Sequence, residues 1–290
     1  MTNLFTFLLR LGSAAASWIL IGLALIWKIP IFYLVLVCGL ALLAQWEFFQ
    51  MLRLAGVQTF PITATLFSTG FLIGSFFYYR AYSANTSYDS AIILLLMLAF
   101  LVRQIFAPIG QLGSIHATVF TLFGIFYISW MFHFLSKIIF LTLPLVYGAS
   151  AGPFYALFVI IVTKCSDMGA YMFGTILGRH LLAPKISPKK TWEGFLGAII
   201  SAGIVASVTQ EFFSSWLHLF HRTNVLFLGF LLGGIAAIGD LVESVIKRSV
   251  QAKDSGYLLP GIGGALDLID SLLFTAPVLF FYLCWIWHLL

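Results

Sequence analysis

The sequence predicts an all-α, polytopic transmembrane protein of about nine helices, and three observations carry that prediction. Charged residues make up only 9% of the chain, against about 25% in a soluble domain. Hydrophobic residues make up 61%, far too many for a water-soluble fold to bury. Apolar runs of the ~20 residues needed to cross a hydrocarbon core recur from end to end, and no polar stretch is long enough to form a separate soluble domain.

The first predicted helix covers 8–27. Its small-residue run, Ser13 to Ser17, precedes the apolar core instead of following it, the wrong order for a cleaved signal, so a retained helix is expected. Apolar runs between polar breaks then predict helices at 30–52, 60–80, 90–109, 115–135, 150–178, 194–216, 224–247 and 268–289. Between 111 and 148, Lys137 and Pro144 leave open a long loop or an extra helix. With nine spans and a cytoplasmic N-terminus, the basic loops 179–193 and 247–267 share the cytoplasmic side, as the positive-inside rule requires.

Charge divides the chain. Residues 1–163 hold eight of the 25 charged side chains, whereas 164–270 hold 17, including eight of the ten acids. Residues 1–149 therefore read as scaffold helices and 150–290 as the region with the polar site. The net charge of +5 is ordinary for cytoplasmic loops beside anionic lipid. Cys38, Cys165 and Cys284 are far apart with no CxxC, which argues against a disulfide framework or a zinc site. The six histidines have no metal-ligand spacing, and no GxxxxGK[ST] phosphate loop occurs. Gly70/Gly74, Gly174/Gly178 and Gly229/Gly233 match GxxxG and read as helix-packing positions.

Carboxylates in membrane spans are costly and mark polar cavities or functional paths. In GDLVESVIKRS, Asp240, Glu243, Ser244 and Lys247 occupy one helical face. An i, i+4 ion pair accounts for Glu243 with Lys247, but not for Asp240 and Ser244 on the same stripe. In LDLID, Asp267 and Asp270 stand three apart at a helix start. A helix N-terminus favours negative charge, yet two neighbouring carboxylates repel unless a cation or proton separates them. With Asp240 they suggest oxygen ligands for a hard cation such as magnesium beside phosphate. The intervening loop contributes Lys247, Arg248 and Lys253, with Gly256, Gly261, Gly263 and Gly264 letting backbone N–H groups approach an anion.

The second polar block is KCSDMGAYMFGTILGRHLLAPKISPKKTWEG. Asp167 lies in an apolar stretch where Lys164 can reach it, so a structural ion pair and a functional carboxylate both fit. Pro184 and Pro188 stiffen a loop presenting Lys185, Lys189 and Lys190, after which Thr191 and Glu193 open the next helix. Lysines grouped as SPKKTWEG suit phosphate oxygens.

These two blocks resemble the signature of the phosphatidate cytidylyltransferase (CDP-diacylglycerol synthase) family. Ser244, Lys247, Arg248, Lys253, Asp254 and Gly256 match S-x-x-K-R-x4-K-D-x-G, and Pro260, Gly261, Gly263, Gly264, Asp267 and Asp270 match PGxGGxLDxxD. The upstream block is similar to D-x-x-A-Y-x-x-G followed by P-x-x-S-P-x-K-T-x-E-G. The family pattern has His within PGHGG and Arg within LDRxD, where this chain has Ile262 and Leu268; the carboxylates and lysines remain, as in an active member of a divergent branch.

The resemblance implies the reaction of CTP with phosphatidate to give CDP-diacylglycerol and pyrophosphate. It implies Asp240 and Asp267 as first metal ligands, with Asp254, Asp270 and Asp167 as further candidates. Lys247, Arg248, Lys253, Lys189 and Lys190 are expected to hold phosphates, and Ser187, Thr191, Glu193, Ser244, Gly261, Gly263 and Gly264 to complete the nucleotide site. The expected cofactor is Mg2+, with a second, monovalent cation such as K+ left open. The expected partners are CTP, phosphatidate and the bilayer, with a homodimer left open and no nucleic acid; the expected location is a bacterial inner membrane, with the site facing the cytoplasm.

Two neighbouring activities fit the same residues: a CTP-dependent lipid kinase, and a cytidylyltransferase for an isoprenoid lipid phosphate. An ion-coupled transporter also uses intramembrane acids, but no internal inverted repeat is visible and the lysine-rich loop has no place in it.

Overall fold

The computed structural model describes residues 22, 30–82, 86–106, 112–141, 151–252, 255–256 and 264–286. Eight helices among them are long and apolar enough to span a membrane. They are α1 (Pro30–Leu54), α2 (Pro61–Tyr82), α3 (Thr86–Ile105), α4, α5 (Gly152–Leu177), α6 (Trp192–Phe212), α7 (Arg222–Ser249) and α8 (Ala265–Ile286). Helix α4 runs on through Leu112–Gly124, a π-helical turn Ile125–Trp130, and Met131–Ile139. Apart from residue 22, the predicted helix 8–27 lies outside the described residues.

Local sequence explains several boundaries. Pro30 and Pro61 open their helices, where the missing N–H has no intrahelical acceptor to lose. Thr191 caps α6 by accepting a hydrogen bond from Gly194 N at 3.1 Å. Between α5 and α6 the chain forms a small antiparallel hairpin, β1 (Leu181–Ala183) and β2 (Ser187–Thr191), which stiffens the lysine-rich loop.

Helices α5, α6 and α7 pack through small residues. A Cβ on Gly233 of α7 would lie 2.7 Å from Ala202 Cβ and 2.9 Å from the Ala198 carbonyl oxygen of α6. Ser166 of α5 donates to the Ala198 and Gly233 carbonyls at 3.3 and 3.4 Å, tying all three helices. In lipid, where apolar surface gives helices little reason to associate, such close contact and shared hydrogen bonds hold them together. Gly229 has the same role against Ala206 and Gly203, but a Cβ on Gly70 would meet nothing within 4 Å. Helix α8 packs against α1, α4, α5 and α7, so its start is surrounded by protein. Outward-facing Leu94, Leu98, Val119, Ile176, Leu196 and Ile204 are exposed, as suits lipid contact.

The region around Lys137 resolves into one helix. Lys137 is buried within α4 and paired with Asp89 of α3, which also accepts from Tyr79 of α2. Lys137 Nζ lies 4.5 Å from the Phe280 ring centroid. Asp89 belongs to the first turn of α3, so that helix begins four residues before the predicted position, and the pairing compensates the cost of burying both charges. Pro144 lies outside the described residues. Asp89→Asn should destabilise the protein by about 3–5 kcal/mol, because it leaves a buried ammonium without its carboxylate. Thermal denaturation in detergent checks this, with turnover per folded molecule expected within about twofold of the parent.

Candidate active site

The other end of the bundle gathers the polar side chains. Helix α7 ends there and α8 begins there, joined by the segment 250–264. Gly239 permits their approach: a Cβ on it would lie 2.8 Å from Phe274 Cδ2 and 3.1 Å from the Asp270 carbonyl oxygen. That closeness sets Asp240 and Glu243 of α7 beside Asp270 of α8. One carboxylate oxygen from each of the three lies within 4.8 Å of the others.

Five further contacts extend this group into the rest of the site. Lys190, at the end of the hairpin, forms an ion pair with Asp240 Oδ1 at 2.8 Å. Lys247 bridges Glu243 Oε2 at 2.9 Å and Asp267 Oδ1 at 2.8 Å. Ser271 donates to Asp167 Oδ1 at 3.1 Å, bringing α5 to α8. Lys164 pairs with Asp167 Oδ2, also at 3.1 Å. Two sequence blocks some 50 residues apart at their nearest ends thus meet in one network.

Charge in this network is unbalanced. Among the described residues it joins five carboxylates, Asp167, Asp240, Glu243, Asp267 and Asp270, through three ammonium groups, Lys164, Lys190 and Lys247. Unpaired carboxylates in a poorly hydrated setting are costly, and a bound cation is one remedy. Glu243 strengthens that argument: it is 1% exposed, and its Oε1 has no hydrogen-bond partner among the described residues. A close set of carboxylate oxygens with an unsatisfied member fits a hard divalent cation. The donor set therefore suits magnesium, with Asp240, Glu243 and Asp270 as the grouped candidates.

Asp267 has different neighbours. Its Oδ1 faces Lys247, while its Oδ2 accepts from Gly264 N at 2.7 Å, closing the first turn of α8. Asp167 borders the group through Ser271. Glu243, read in the sequence as part of the polar stripe, is the carboxylate that the geometry adds to the metal candidates. Its signal was the i, i+3 spacing from Asp240.

The hairpin and the end of α7 form the outer rim. Lys189 on β2 and Arg248 on α7 are exposed, and Ser187 is partly exposed. Arg248 Nε donates to the Ile186 carbonyl at 3.2 Å, linking α7 to the hairpin. Glu193 accepts from Arg179 N and His180 N at 3.1 and 3.2 Å and lies 2.6 Å from His180 Nδ1. It thereby fixes the entry to the hairpin, as Thr191 fixes its exit. Ser244 lies on α7 one residue beyond Glu243, partly buried. Leu268, where the resembled pattern has Arg, is buried in the apolar core. Lys253, Asp254, Gly261, Ile262 and Gly263 lie outside the described residues.

Known proteins share long stretches of this sequence. The chain is 35% identical over 180 residues to a protein of Escherichia coli K12 named uncharacterized protein YnbB, covering 61% of this chain and 56% of that one. It is 42% identical over 130 residues to the phosphatidate cytidylyltransferase of Staphylococcus epidermidis RP62A, covering 45% of this chain and 49% of that one. These two alignments span about half of each relative. A phosphatidate cytidylyltransferase of Bacillus subtilis 168 aligns over nearly the full length, 33% identical over 276 residues, covering 94% of this chain and 96% of that protein. The sequence model of the cytidylyltransferase family matches residues 10–286, and the chain belongs to that family.

Proposed function

We propose that this integral membrane protein transfers a cytidylyl group from CTP to phosphatidate, giving CDP-diacylglycerol and pyrophosphate. The observation that carries this reading is the convergence of the two polar blocks, through Lys190 with Asp240 and Ser271 with Asp167, at one end of a transmembrane bundle. A water-soluble nucleotide and a membrane-bound lipid phosphate can meet only at such a place. The near full-length similarity to the Bacillus subtilis enzyme supports the same substrates.

In this reaction a phosphatidate oxygen bonds to the α-phosphorus of CTP, and the bond from that phosphorus to the bridging oxygen of the β-phosphate breaks. The lipid phosphate is already ionised at neutral pH, so no side chain has to remove a proton from it. Both reactants are anions, and the protein must bring them together against their repulsion. Exposed Lys189 and Arg248 raise the local concentration of anions. Lys190 can exchange Asp240 for a phosphate oxygen, and Lys247 is held at the inner wall by its two carboxylates. Asp240, Glu243 and Asp270 would hold magnesium, which when bound supplies positive charge against the triphosphate and the departing pyrophosphate.

The site is proposed to face the cytoplasm of a bacterial inner membrane. Its end of the bundle carries Arg53, Arg103, Arg179, Lys185, Lys189, Lys190, Lys247 and Arg248, whereas Arg80, Lys137 and Arg222 lie toward the other. That asymmetry is the one the positive-inside rule describes.

The test is pyrophosphate release by the purified full-length chain in detergent with magnesium, CTP and phosphatidate, each omitted in turn. Release requiring all three, with CDP-diacylglycerol formed, is expected. CDP as the nucleotide product would instead identify a lipid kinase, and folded protein without turnover would reject the reaction.

A further inference from the structure

One buried carboxylate of the N-terminal helices reaches the start of α8. Glu47 of α1 is 1% exposed, a costly position for a carboxylate unless hydrogen bonds compensate it. Its Oε2 accepts a hydrogen bond from Leu266 N at 2.9 Å, across a separation of 219 residues. Leu266 N is among the first N–H groups of α8, which have no partner within the helix. Gly264 N, two residues earlier, donates instead to Asp267. The open end of α8 is thus shared between its own Asp267 and a carboxylate from a distant helix.

The fit around Glu47 is close. A Cβ on Gly256 would lie 2.7 Å from Glu47 Cδ, and one on Gly264 would lie 2.8 Å from the same atom and against Ser255 Oγ. The two glycines allow the chain on both sides of the loop to close over the carboxylate. A negative charge at a helix N-terminus is also favourable in itself.

We infer that Glu47 is a positioning residue for the active site. Its carboxylate fixes the first turn of α8, and so sets Asp267 against Lys247 and Asp270 beside Asp240 and Glu243. This rests on the proposed reading of those side chains as the site of transfer. Glu47 touches none of the expected reacting atoms; it acts through Leu266. Because a displacement of about 1 Å in a catalytic group can cost about 10²-fold in rate, a loosened first turn should be visible in turnover.

The experiment compares full-length parent, Glu47→Gln, Glu47→Asp and Glu47→Ala in detergent, each shown monodisperse. Amide hydrogen exchange is followed over 264–270, together with kcat and KM for CTP. Gln keeps an acceptor oxygen for Leu266, so its exchange should stay within about threefold of the parent and its kcat within about tenfold. Ala should exchange at least about tenfold faster there and lose about 100-fold in kcat, with KM for CTP changed less than about threefold. If Ala does not fold, Asp serves in its place, since it keeps the charge but withdraws it from Leu266. Unchanged exchange in the folded Ala or Asp variant overturns the inference, as does unchanged kcat. Exchange needs no substrate, so it decides the contact to α8 even if the parent fails to turn over CTP, an outcome that would reject the proposed reaction instead.

Discussion

Asp240→Asn is expected to lower CTP-dependent pyrophosphate release by about 10³-fold or more, equivalent to about 4 kcal/mol of transition-state stabilisation. The substitution keeps the shape of the side chain and removes its charge. Asp240 is the one carboxylate that contributes both to the three-residue oxygen group and to the ion pair with Lys190. Its side chain is 40% exposed, so the change should cost little stability and leave a folded protein. Loss of a metal ligand and loss of a merely structural ion pair differ in one measurable respect. If Asp240 holds magnesium, the concentration needed for half-maximal activity should rise in the variant, and high magnesium should recover part of the lost rate. Breaking only the pair with Lys190 would instead raise KM for CTP with an unchanged magnesium dependence. Near-normal turnover with an unshifted magnesium titration would remove Asp240 from the site.

The sequence disclosed the membrane architecture because its signals are local and additive. Each span is a run of apolar residues long enough to cross hydrocarbon, and the eight described spans fall within a few residues of the predicted ones. The polar stripe on α7 was legible for the same reason, since helical periodicity alone puts Asp240, Glu243 and Lys247 on one face. Long-range partners were not legible. Lys137 left a long loop and an extra helix both open until Asp89, 48 positions away, supplied its counter-charge. Spacing marked Asp267 as a candidate metal ligand, but it could not show that Lys247 and Gly264 N lie against its two oxygens. Glu47 carried only the general mark of an acid in an apolar span, and its partner was hidden: a helix end more than 200 residues away. Gly239 was silent, although the approach of α7 to α8 depends on it.

Lys247→Met should be among the most damaging substitutions in the chain, for two reasons that a second substitution separates. Lys247 is the bridge between Glu243 and Asp267, with side chains only 2% and 18% exposed, respectively. Removing it leaves two carboxylates facing one another without their shared cation, and loss of one partner from a buried pair costs about 3–5 kcal/mol. The thermal midpoint in detergent should fall accordingly, and turnover should drop to about 1% or less of the parent. Adding Glu243→Gln removes the more buried of the stranded charges. Replacing both members of a buried pair is far less damaging than breaking it, so the double variant should recover at least about half of the lost stability. Its turnover should stay near zero, because the lysine, one of the three cations in the network, would still be missing, and with it a carboxylate of the oxygen group. Stability and activity would then part company. Recovery of both together would make the Glu243–Lys247 pair a structural strut and place the phosphate-holding cations elsewhere, on Lys190 and the exposed rim of the hairpin.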